Sequence, residues 1–271
     1  MTFLDWLFST DTHPRFENPV INGRWGLLHI LTMLICAALI VGFWLIVKKC
    51  KNKDKARKII IGVLAGLILL FEIVMKTVNF YNFAKAGQLN VWRAFWILIP
   101  RPWCAVSCWA LMISVLVNKK FFYNFASMSA LLCAALFFAC PGVGFNNEII
   151  LFQNLYSIVT HALLLTMSIT LITLKFTDFR YKTIWKELSC FVVIYIWAII
   201  EIFVLHFERD PFYFMPDGDI QAGIFKISYV LYIVIYVVFI ALYINTFYLI
   251  NDRQNVKKLF AKNRKSLNQA D

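Results

Sequence analysis

Residues 27–58 read LLHILTMLICAALIVGFWLIVKKCKNKDKARK. The first twenty-one carry one imidazole, His29, and no charged side chain, whereas the last eleven carry seven Lys or Arg. A helix needs about 20 apolar residues to cross a hydrocarbon core of about 30 Å. Residues 27–47 therefore have the length of one membrane crossing, and the basic segment after it has the character of a cytoplasmic flank.

Working outward, six more runs of this kind lie near 59–78, 95–117, 121–141, 149–174, 185–206 and 224–250. In lipid every backbone N–H and C=O needs an internal partner, and no alternating ten-residue pattern marks a barrel, so each run is expected to be helical. The expected fold is all-α, a polytopic membrane bundle of about seven transmembrane helices. It divides into an extracytoplasmic segment (1–26), a seven-helix domain (27–250) and a basic cytoplasmic tail (251–271).

Composition points the same way: 61% of the 271 residues are hydrophobic and 15% charged, with a mean hydropathy of +0.70, against about 45–50% and 25% in soluble domains. The mixed residues before the first run resemble no signal peptide. The seven cysteines form no CxxC pair and six fall within apolar runs. Neither a disulfide framework nor a metal site is expected, nor any cofactor.

A net charge of +12 raises the question of nucleic acid, but the cations flank apolar runs rather than forming a stripe. Nineteen Lys and Arg fall on one side of the seven runs and five on the other, which places the N-terminus outside and the C-terminus inside a cell membrane. The expected partners are membrane lipids. Anionic headgroups would meet the 48–55 linker at the cytoplasmic face, at about 1 kcal/mol per Lys. Cys140-Pro141-Gly142-Val143-Gly144 reads as a tight reversal.

An ionisable side chain at mid-bilayer costs about 2.5–3.5 kcal/mol, so those present are candidates for function. The first run carries His29, Thr32 and Cys36; the second Glu72, Lys76 and Asn79; the third Arg101, Cys104 and Cys108. The fifth carries Asn154, Ser157, His161 and Ser168 on one helical face, and the sixth Glu201 and His206. With this orientation the charged and imidazole groups all fall in the outer half. They predict a polar, outward-facing cavity between the first, second, third, fifth and sixth spans.

Within this set Glu72 and Lys76, four apart, are spaced for an intrahelical ion pair. His29 and His206 lie near the interface, where their rings are expected to reach water. Glu201 calls for a partner on another helix, Lys76, Arg101 or His161, or else is expected to be protonated. Pro100 and Pro102 mark the start or a kink of the third helix, placing Cys104 near a helix N-terminus with Arg101 beside it. Both influences favour the nucleophilic thiolate.

The segment Ile99-Pro100-Arg101-Pro102-Trp103-Cys104 and the helix Phe152–His161 resemble the YwaF and transmembrane protein 164 family of multi-spanning proteins. The likeness covers roughly residues 25–250. The bacterial members tend to read Leu-Pro-Leu-His-Leu-Cys, and this chain has Pro102 in place of the histidine. The resemblance implies acyl transfer between phospholipids, with Cys104 as nucleophile and His161 as base. Such a pair divides the chemistry in the way covalent catalysis requires.

Arg101, Lys76 and Asn154 supply donors for an oxyanion or a lipid phosphate, and Ser157, Glu72, Glu201 and His29 are expected to line the same site. The same Glu, Lys and His also describe a transporter or solute-binding subunit with an ion-coupled pathway. A sensor is the third class, and the short tail would then need a separate signalling partner.

Overall fold

In a computed structural model, which describes residues 7–8, 26–101, 103–139, 152–205 and 227–253, helices form where the sequence is continuously apolar. They are α1 (Leu27–Lys49), α2 (Lys53–Lys85), α3 (Val91–Leu98), α4 (Trp103–Val117), α5 (Lys120–Ala139), α6 (Phe152–Thr173), α7 (Ile184–Phe203) and α8 (Tyr229–Asn251). A 3-10 turn, Tyr181–Thr183, precedes α7, and no strand occurs among the described residues. Five of these helices, α1, α2, α5, α6 and α8, are long and apolar enough to cross a membrane. The count is six if α3 and α4, bent by 66° at their junction, make one broken span. α7 has 20 residues but carries Lys186, Glu187 and Glu201, more charge than the others bring into lipid.

Local chemistry sets the helix ends. Asn52 and Asn90 accept hydrogen bonds from the Lys55 and Arg93 amides, capping α2 and α3. Past α2, Gly87 takes a φ of +67°, while Gly87 N donates to Ala84 O and Gln88 N to Phe83 O. This pair of bonds is the Schellman ending. α6 ends in the same way, with Lys175 N donating to Ile172 O and Phe176 N to Leu171 O, but here the left-handed residue is Lys175, at φ +62°. The break after α3 falls at Pro100, whose missing N–H cannot continue a helix.

The chain forms two compact units, Met1–Thr177 with α1–α6 and Asp178–Asp271 with α7 and α8. In the first, α5 lies deepest. Ala126, Ala130 and Ala134, spaced by four and fully buried, give it a side along which neighbouring helices can approach closely. Leu111 of α4 and Leu164, Met167 and Leu171 of α6 join that core. Trp103 Nε1 donates to Ser129 Oγ at 2.8 Å, and Ser107 and Ser129 hydroxyls bond at 2.9 Å, tying α4 to α5. By contrast α1 turns Leu34, Ile35 and Val41 outward, as lipid-facing side chains would be. In the second unit the Tyr195 hydroxyl donates to that of Tyr236, and the Tyr181 hydroxyl donates to Asn245 Oδ1, so α7 and α8 run antiparallel.

Candidate active site

The α3–α4 break leaves carbonyls at the end of α3 without helical partners, and in apolar surroundings such groups need a donor. Lys76 supplies it: its Nζ donates to Ile97 O at 2.7 Å and Leu98 O at 3.1 Å. The expected Glu72–Lys76 ion pair is therefore not made. The ion pairs among the described residues are Arg57–Asp54 and Arg180–Asp178. Glu72, only 3% exposed, instead accepts a hydrogen bond from the Tyr156 hydroxyl of α6 at 2.5 Å. The Trp109 indole of α4 is close by, its buried Nε1 making no hydrogen bond among the described residues. An i, i+4 rule weighs two side chains on one helix. Here each finds a better-placed partner elsewhere.

Cys104 stands in the first turn of α4, half-buried. Its thiol faces the His161 imidazole on α6 and the Cys133 thiol on α5, near enough for both to act on its charge. Residues far apart in sequence thus meet through packing of three helices. His161 Nδ1 lies 2.7 Å from Ser157 O one turn back. A carbonyl can only accept, so the proton of the neutral ring sits on Nδ1 and Nε2 keeps the lone pair. Phe137 of α5 stacks on the imidazole with centroids 3.8 Å apart and planes 8° from parallel. Backbone bond and stacked ring together fix the orientation of His161.

The remaining expected residues fall at different distances from this pair. Ser157 contributes its carbonyl, and Asn154 is buried on the same face of α6. The Arg101 guanidinium lies over the Trp96 ring at 4.3 Å and close enough to Lys76 for repulsion. His29 does not reach water as expected. It is fully buried, its ring parallel to that of Phe138 at 5.9 Å, and Phe138 meets Phe137 edge to face. It thus belongs to the aromatic layer behind His161. Glu201 is buried on α7, in the Asp178–Asp271 unit. His206, Pro102 and the 140–144 turn lie outside the described residues.

Cys133, Tyr156, Trp109 and Phe137 belong to this cluster but were not singled out by sequence. The fourth apolar run carries Asn124, Ser127, Ser129 and Cys133, a polar and small set that could have drawn attention to α5. A lone cysteine in an apolar run otherwise reads as a small hydrophobe. The cluster offers a sulfur nucleophile, an imidazole with an open lone pair and a buried carboxylate with its own donor. No known protein-family model, characterised protein or solved structure matches this chain.

Proposed function

We propose that the protein is a membrane-embedded enzyme that transfers or releases acyl groups of lipid esters through Cys104 and His161. The observation that carries this reading is the approach of the Cys104 thiol to an imidazole whose Nδ1 proton is already committed to Ser157 O. Nε2 takes the thiol proton, and the thiolate attacks the ester carbonyl. The carbon–oxygen bond breaks, a thioester forms on Cys104, and the departing alkoxide takes the proton from the imidazolium. An acceptor hydroxyl, from a lysolipid or from water, then gives its proton to Nε2 and attacks the thioester, returning the thiol. Backbone N–H groups in the first turn of α4 and the Arg101 guanidinium are the donors proposed for the oxyanion.

This reading carries with it a place in the YwaF and transmembrane protein 164 family. It also takes the α3–α4 pair and α7 as crossings, which brings the spans to seven, with the N-terminus outside and the C-terminus inside the cell membrane. The charge imbalance between the two sides supports that orientation.

The test is to incubate the purified protein with phospholipid labelled in its acyl chain and to seek hydroxylamine-labile label. Label on Cys104, absent from Cys104→Ala, is the expected result. If lipid enters the intact protein and no label forms, the acyl-enzyme is wrong. The buried Glu72 beside Lys76 then makes solute transport the reading to pursue.

A further inference from the structure

Α cavity of about 350 Å³ opens at the end of the Met1–Thr177 unit where α4 finishes. From Cys104 to Asn118, just past the end of α4, the chain rises by fourteen residues, about 21 Å at 1.5 Å per residue, so this recess is separate from the thiol site. Three segments distant in sequence bring cations to it: Arg57 and Lys58 from α2, Lys120 from the start of α5, and Lys175 from the end of α6. Among the described residues Asp54 is the one acid lining it. A positive-inside bias asks only that cations follow the spans, and says nothing about convergence on a hollow.

The cations divide into two kinds. Arg57 donates to Leu174 O, pairs with Asp54 at 3.1 Å and lies over the Phe176 ring, while Lys120 Nζ donates to Lys175 O at 2.9 Å. These two are held in place by capping the carbonyls that end α6. Lys58 and Lys175 are exposed, and their ammonium groups have no acceptor among the described residues. A neighbouring, more open recess shares Asp54 and Lys58 and adds Lys55. The field is positive and partly fixed, and two lysines remain to grip an anion.

What lies beside the cavity indicates the source of that anion. Ile59, which follows Lys58 and lines the neighbouring recess, and Leu116 and Val117, which lead into Asn118 of the lining, are 54%, 84% and 39% exposed. A ligand with a phosphate in the recess and hydrocarbon attached would lay its chains along them. Cavities of 300 Å³ or more are of ordinary ligand size, and basic pockets between membrane helices suit lipid phosphates. We propose that this recess binds the phosphate of an anionic phospholipid headgroup. The site stands apart from the acyl-transfer reading and does not depend on it.

The test uses the full chain in mixed micelles holding equal phosphatidic acid and phosphatidylcholine, followed by detergent exchange and quantification of retained lipid. Wild type is expected to keep phosphatidic acid over phosphatidylcholine. The double variant Lys58→Ala/Lys175→Ala, changed only at exposed positions, should lose that preference by more than about tenfold while eluting and melting as a folded protein. If millimolar inorganic phosphate displaces the lipid, and alone raises the melting temperature of wild type but not of the variant, the recess is upheld as a phosphate site with free phosphate as its source. Equal retention of the two lipids by wild type, or unchanged preference in the variant, overturns the proposal.

Discussion

At the Trp103 end of α4, polar groups are met one at a time: Glu72 by Tyr156, Lys76 by the α3 carbonyls, His161 by Ser157 O. At the Val117 end, Lys58 and Lys175 stand exposed beside an open recess with no acceptor of their own among the described residues. The difference follows from the surroundings. Inside a bundle an unmatched polar group costs several kcal/mol, which favours individual partners with fixed geometry. Where the helices meet water, cations need no individual partner and can accumulate for a common ligand. The first arrangement suits bond-making chemistry, and the second suits recognition of charge.

The sharpest way to break this contrast is at His161. His161→Ala removes the proposed acceptor for the Cys104 proton while leaving the basic end untouched. Acyl turnover is expected to fall about 10²- to 10⁴-fold, the usual range for a general base. Retention of phosphatidic acid by the same variant should match wild type. A parallel loss of both would mean that the two ends form one functional surface.

Much of this architecture is legible in the sequence because a bilayer imposes a length rule. The apolar runs near 27–47, 121–141 and 149–174 became α1, α5 and α6 within a few residues. Pro100 likewise announced the break before Cys104. The partners of the polar groups were harder to read. Tyr156 is 84 residues from Glu72 and Lys76 is 21 from Ile97. A helical wheel shows which residues share a face, not which helix that face meets. His29 was misjudged for the same reason: its distance from the span end suggested water, and packing against Phe138 removed it.

Tyr156→Phe examines the buried end by stability rather than turnover. It deletes the hydroxyl that donates to Glu72 and leaves the ring in place. The expected loss is about 1–3 kcal/mol, the cost of leaving a buried acceptor without its donor. Because this bond is inside the protein, the loss should be the same at low and high salt. In a double-mutant cycle, Tyr156→Phe should cost much less in a Glu72→Leu background. Additive losses would show that the hydroxyl matters through some other contact.

The smallest expected effect lies at Lys175, and its sign is the informative part. Two helices end in the same Schellman motif, α2 with Gly87 in the left-handed position and α6 with Lys175 there. For an L-residue that conformation costs about 1–2 kcal/mol, which glycine avoids, although glycine loses about 0.5–1 kcal/mol of chain freedom on folding. Lys175→Gly should therefore leave stability unchanged or raise it by up to about 1 kcal/mol, measured as thermal unfolding in a single detergent. If the recess uses Lys175 for phosphate, the same change should weaken phosphatidic acid retention. Stability and binding moving in opposite directions would explain why the chain keeps lysine where α2 has glycine. A variant that is both less stable and undiminished in binding would make Lys175 an ordinary helix-end cation, and the two ends of α4 less different than they look.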